Sequence, residues 1–259
     1  MRLSWKIGGL ALLLISLFSL SGCQSVRAAR LWLPPSVSGM ERVESGLMIE
    51  TSSSKASLPG AKALHTSALD LFSKAWPQRL SSPELWVCHT EACNARLGGG
   101  SSLGITFGYS RVLLSPRGFS AGLLAHEYSH AELLYRVGLM KGTKIPSWFD
   151  EGVAVWISDL PHHSEAMYQR FLAAGIKPPE LSTLVTYSDW TAAVGIHGDH
   201  LKGPNSTEVN VVYPTAGHEI RRWVGIVGAG GIGRLVQAVA DGQDFATTYA
   251  LLESQALNN

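Results

Sequence analysis

The sequence predicts an α+β fold, because strand signals gather in its first half and helical periodicity runs through its second. Short apolar runs bounded by Gly, Pro and Ser recur between residues 46 and 114. Beyond Gly118, apolar residues return at three- and four-residue spacing. Composition supports one sizeable core: of 259 residues, 46% are hydrophobic and 16% charged, which excludes a disordered chain.

In chain order, the first signal is a leader. Arg2 and Lys6 flank the start of an apolar run over residues 7–20. That run is shorter than the roughly 20 residues that span a bilayer, and it suits the core of a signal peptide. It ends in Leu20-Ser21-Gly22-Cys23, which resembles the lipobox of bacterial lipoproteins. The resemblance implies that residues 1–22 are removed and that Cys23 carries a diacylglycerol on its sulfur and an acyl chain on its new amine. Gln24 follows where inner-membrane retention uses Asp, which implies sorting to the outer membrane, facing the periplasm. Several acyl chains on one residue anchor stably, at about 0.8 kcal/mol per buried CH₂. The other reading, an ordinary signal peptide with an incidental cysteine, sits poorly with the small residues before Cys23 and the leucine at the third position. Residues 23–45, with Pro34, Pro35 and several serines, read as a lipidated tether, and residues 46–259 as a single domain.

Within that domain, residues 46–51 (GLMIET) are expected to form a first strand. Residues 61–76 place Leu64, Ala68, Leu71, Phe72 and Ala75 at helical spacing after Pro59 and Gly60. Residues 84–89 (ELWVCH) read as a short strand, residues 98–102 as a flexible loop, and residues 105–109 and 111–114 as one or two strands. Helices are expected at 120–137, 146–159, 164–174, 216–227, 231–240 and near 245–252. Residues 181–206 are poorly patterned and read as a long loop near the site. There is no internal repeat.

Charge and cysteine usage narrow the function. Lys and Arg total 21 against 20 Asp and Glu, for a net charge of +1, and no basic run carries interleaved aromatics. A nucleic-acid partner is therefore not expected. Of three cysteines, lipidation takes Cys23 and leaves Cys88 and Cys93. In an oxidising compartment that pair is expected as a disulfide. A metal pair is the alternative, but no second cysteine pair completes a zinc knuckle.

The chemistry centres on His126-Glu127-Tyr128-Ser129-His130, an H-E-x-x-H sequence. On a helix, residues four apart lie one turn above each other, so both imidazoles can reach one metal. Glu127 lies about 100° further round and can act on a water without being a ligand. Leu123, Leu124, Ala131, Leu133 and Leu134 favour the helix this requires. The pattern also arises by chance. A second motif follows in Trp148-Phe149-Asp150-Glu151-Gly152-Val153-Ala154.

Together the two motifs resemble those of the gluzincin metallopeptidases, whose third zinc ligand is a glutamate on a following helix, often within W-x-x-E-G-x-A. The match covers Trp148, Glu151, Gly152 and Ala154. It implies a zincin-like fold: a small N-terminal sheet, an active-site helix and a helical C-terminal half. It implies Zn²⁺ on His126, His130 and Glu151 with a fourth position open, Glu127 as general base, and a peptide or protein substrate. It also implies that residues 111–116 (RVLLSP) supply the edge strand that pairs with substrate backbone. A Tyr or His is expected where the oxyanion forms; Tyr213, ahead of a helix, is preferred and His218 competes. The similarity spans about residues 85–252, strong at the zinc motifs and loose elsewhere. There is one departure. One branch of the family holds a zinc histidine with an Asp four residues past the glutamate ligand, where this chain has Val155, so that support must come from elsewhere.

Other motifs are weaker. His197 and His200 bracket Gly198 and Asp199, so they read as loop histidines and not as an aligned metal pair. Residues 228–233 fit G-x-G-x-x-G but lack the strand–helix unit and ribose acid of a dinucleotide site. Trp148 and Trp156 read as core and site walls. A scaffold lipoprotein serving binding or envelope assembly is the alternative function. Presence of Glu127 beside all three ligands favours catalysis, since a scaffold has no chemical use for the base.

Overall fold

The computed structural model describes residues 27–138, 142–197 and 210–258; the leader, Cys23 and His200 lie outside the described residues. Strand β1 (Met40–Glu44) turns back into β2 (Leu47–Glu50) through Gly46, whose φ of 77° favours a residue without Cβ. Helix α1 (Ser54–Phe72) then leads to β3 (Glu84–Val87), which lies parallel to β2. A short helix α2 (Glu91–Arg96) follows, with Thr90 capping Cys93 N–H. β4 (Gly104–Phe107) and β5 (Arg111–Leu114) pair antiparallel, and β5 lies parallel to β3. The sheet order is therefore β1-β2-β3-β5-β4. The helical half comprises α3 (Ala121–Val137), α4 (Ser147–Ser158), α5 (Glu165–Ala173), α6 (Tyr187–His197), α7 (Val212–Val227), α8 (Gly230–Ala240) and α9 (Phe245–Leu257). The fold is α+β, with a mixed sheet beside helices, as expected.

The main core lies between one face of the sheet and helices α1, α3, α4, α7 and α8, around Phe72, Trp76, Phe149 and Trp223. The helices close in at glycines. A Cβ on Gly122 would stand 2.3 Å from the carbonyl oxygen of Ser158, and one on Gly152 would stand 2.7 Å from that of Ala216. A smaller core covers the opposite face through Leu31, Met40, Met48, Trp86, Leu97 and Leu113. Cys88 and Cys93 belong to it and are joined as a disulfide, with Cα atoms 5.5 Å apart.

Several expectations are corrected. Much of the stretch read as a tether is folded: two 3-10 turns (Ala29–Trp32 and Pro35–Ser38) and β1 lie within it. Leu31 and Met40 anchor it in the smaller core, two apolar residues that a Pro- and Ser-rich composition conceals. Helix α1 starts before Pro59 and Gly60, because packing of its buried face outweighs the backbone bond a proline forfeits. Where a long loop was expected, residues 187–197 form α6. Its start is a reciprocal cap: Asp189 accepts from Thr186 N–H at 3.0 Å, and Thr186 Oγ1 accepts from Asp189 N–H at 3.1 Å. Finally, β5 is an inner strand, and the edge beside α3 is β4.

Candidate metal centre

Helix α3 is capped by Ser120, whose hydroxyl accepts from Leu123 N–H, and it packs between α1, α4 and β4. This placement makes most of the helix buried and turns His126, Glu127 and His130 into a groove. Pro146 precedes the first turn of α4, so Glu151 emerges early in that helix and faces α3. Glu151 Oε2 lies 3.3 Å from His126 Nε2 and 3.7 Å from His130 Nε2. One donor atom from each of the three residues falls within 4.8 Å of the others.

The surroundings prepare these atoms for a cation. His130 Nδ1–H donates to Asp150 Oδ1 at 2.8 Å, which leaves Nε2 as the nitrogen that can exchange its proton for a cation. Burial lowers the affinity of His130 for a proton, but Asp150, Glu151 and Glu127 outweigh it and push its pKa up to about 10. The pocket is thus electrostatically short of positive charge. Glu151 Oε2 is buried without a hydrogen-bond partner, an expensive arrangement unless a cation meets it. Two imidazole nitrogens and a carboxylate oxygen suit zinc, so the residues fit that ion.

Glu127 is 6% exposed and is not one of the three residues of the cluster. The Thr106 hydroxyl on β4 lies 2.7 Å from Glu127 Oε2 and 2.8 Å from its backbone carbonyl, and donates to one at a time. Gly104 makes room: a Cβ there would stand 2.9 Å from Glu127 Cγ. The groove holds about 650 Å³, with β4 along one side and Tyr187, Trp190, Thr191 and Val194 of α6 along another. Tyr213 also lines it, its ring stacked on His163 at 4.6 Å and meeting Trp190 edge-on at 5.1 Å. Burial, and then the Glu151 carboxylate, raise the Tyr213 pKa, so the phenol keeps its proton. His218 is elsewhere: it bonds Glu165 at 2.9 Å and stacks on Tyr168 at 4.1 Å.

Comparison with protein-family models, with curated proteins and with solved structures finds no match to this chain.

Geometry alone therefore carries the site. The structure brings together His126, Glu127, His130, Glu151 and Tyr213, and leaves out His218. It adds three features that sequence reasoning did not assign. Asp150 stands within the second motif and takes the supporting part that Val155 lacks. Val155 instead packs at α7, where a Cβ on Gly217 would stand 2.4 Å from its Cγ1. Thr106 holds Glu127, with nothing local to mark it. The α6 wall was legible only through Thr186-x-x-Asp189, a short capping signature.

Proposed function

We propose that this chain is a zinc-dependent peptidase of the gluzincin type, with a zincin-like fold, held at a bacterial membrane by lipid on Cys23. The convergence of His126, His130 and Glu151, with Glu127 poised beside them and outside the ligand set, carries this reading. When bound, zinc supplies Lewis acidity that lowers the pKa of a water towards about 7 and polarises a carbonyl. Glu127 takes the proton of the attacking water and passes it to the leaving amine nitrogen. Thr106 steadies one carboxylate oxygen and leaves the other for that transfer. β4 offers the backbone N–H and C=O groups of a sheet edge, so an extended peptide can add as a further strand. The protonated Tyr213 hydroxyl is the donor for charge developing on the carbonyl oxygen.

Glu127→Gln tests this reading. The amide keeps the shape but cannot accept a proton at neutral pH, so cleavage of a fluorogenic peptide library should fall about 10²–10⁴-fold while zinc stays bound. Undiminished cleavage by a zinc-loaded Glu127→Gln protein would remove Glu127 as base. Full rescue of a deletion strain by the inactive variant would favour the scaffold function.

A further inference from the structure

The segment that enters the smaller core also presents an apolar face outward. Trp32 and Val37 on the two 3-10 turns, and Leu33 just after the first, are 53%, 67% and 45% exposed. The segment is anchored beneath them: Leu31 is fully buried in the smaller core, and Ser38 Oγ donates to the Arg30 carbonyl at 2.7 Å. The Trp32 ring meets Phe107 edge-on at 5.9 Å, and the Arg111 guanidinium lies 5.0 Å over it. Phe107 and Ala28 both line the groove. The exposed apolar face and one end of the groove therefore share a rim.

Chain length says what can cover that face. Ala28 lies 28 − 23 = 5 residues from Cys23. A fully extended chain spans at most about 3.6 Å per residue, so the backbone of Cys23 can stand no further than roughly 18 Å from Ala28 at this end of the groove. Acyl chains on Cys23 would enter a bilayer inside that radius, beside an outward tryptophan and two outward aliphatic side chains. Tryptophan is suited to the boundary between headgroups and acyl chains, where one part of its ring system is apolar and its N–H stays wet.

We propose that the Trp32, Leu33 and Val37 face rests in the interfacial layer of the bilayer that holds the Cys23 lipid, setting the Ala28 and Phe107 end of the groove against the membrane surface. The proposal rests on the lipoprotein part of the proposed function and not on hydrolysis. Its consequence for substrate is direct: the groove takes polypeptide that lies along or emerges from the membrane in preference to freely diffusing chains.

The test uses the full-length lipidated protein in vesicles of phosphatidylethanolamine and phosphatidylglycerol, doped with lipid brominated high on its acyl chains. Tryptophan fluorescence of the wild type should be quenched, and Trp32→Phe, which keeps an aromatic ring on Phe107, should remove most of that quenching. Leu33→Ser combined with Val37→Ser, both at exposed positions, should weaken it in the same direction. Protein that floats with the vesicles but shows no quenching attributable to Trp32 overturns the proposal and leaves the anchor standing; the face then belongs to a protein partner. Protein that carries no acyl group and does not float removes the anchor, and the proposal with it.

Discussion

At the scale of single residues, the two histidines of the candidate metal cluster were legible because helical spacing is a local property. His126 and His130, four positions apart, share one face of any helix whatever the rest of the chain does. The role of Asp150 is not local. It depends on how α4 meets α3, and only the packed structure brings its carboxylate to His130. The sequence preferred Tyr213 and left His218 as its competitor, and the stack on His163 against the bond to Glu165 separates them. Asp150→Asn should weaken zinc binding about 10–100-fold in chelator competition, because the amide no longer fixes the Nδ1–H tautomer. Unchanged affinity would show that His130 is oriented by packing alone.

At the scale of elements, the helices of the second half other than α6 were found, with ends shifted by a turn or so at most, since each has an apolar face that sequence periodicity reports. Strand order was not. The run in β5 is more apolar than that in β4 and is buried where β4 is only half-buried, which in principle marks the inner strand. Helix α6 escaped because its buried side rests on Trp190 almost alone, too little to produce a periodic stripe. Close helix contacts are likewise invisible until the helices are placed. Gly152, next to Glu151, faces the Ala216 carbonyl oxygen at a distance that a methyl group would reduce to 2.7 Å. Gly152→Ala should therefore destabilise the protein by about 1–3 kcal/mol in thermal or denaturant unfolding. An unaltered midpoint would mean that α4 and α7 have slack at this crossing.

At the scale of the whole molecule, one core was legible as hydrophobic content, but its division by the sheet was not. The second core needs Leu31 and Met40, which stand in a stretch whose composition resembles a linker. The molecule also buries titratable groups that set its response to acid. Burial, then His162, His126 and Arg221, hold the pKa of His163 well below the ordinary imidazole value. Burial lowers His65 and His162 in the same direction. The unfolded chain then binds more protons below about pH 6.5, so this stability is full above that value and is lost as pH falls, at up to roughly 1.4 kcal/mol per pH unit for His163. The melting temperature should drop as pH falls from about 6.5 to about 5.5, where the raised pKa of His130 keeps that ring charged in both states, and His163→Phe, which can keep the stack on Tyr213, should flatten the curve. Parallel curves for the two proteins would exclude His163 as a source of acid sensitivity. The central claim is that His126, His130 and Glu151 hold a zinc ion with Glu127 outside the ligand set. It is tested most directly by the metal content of purified wild type, Glu127→Gln and His126→Ala proteins. The account predicts about one equivalent of zinc in the first two and its loss in the third; wild type without zinc, or His126→Ala that keeps it, would contradict the account.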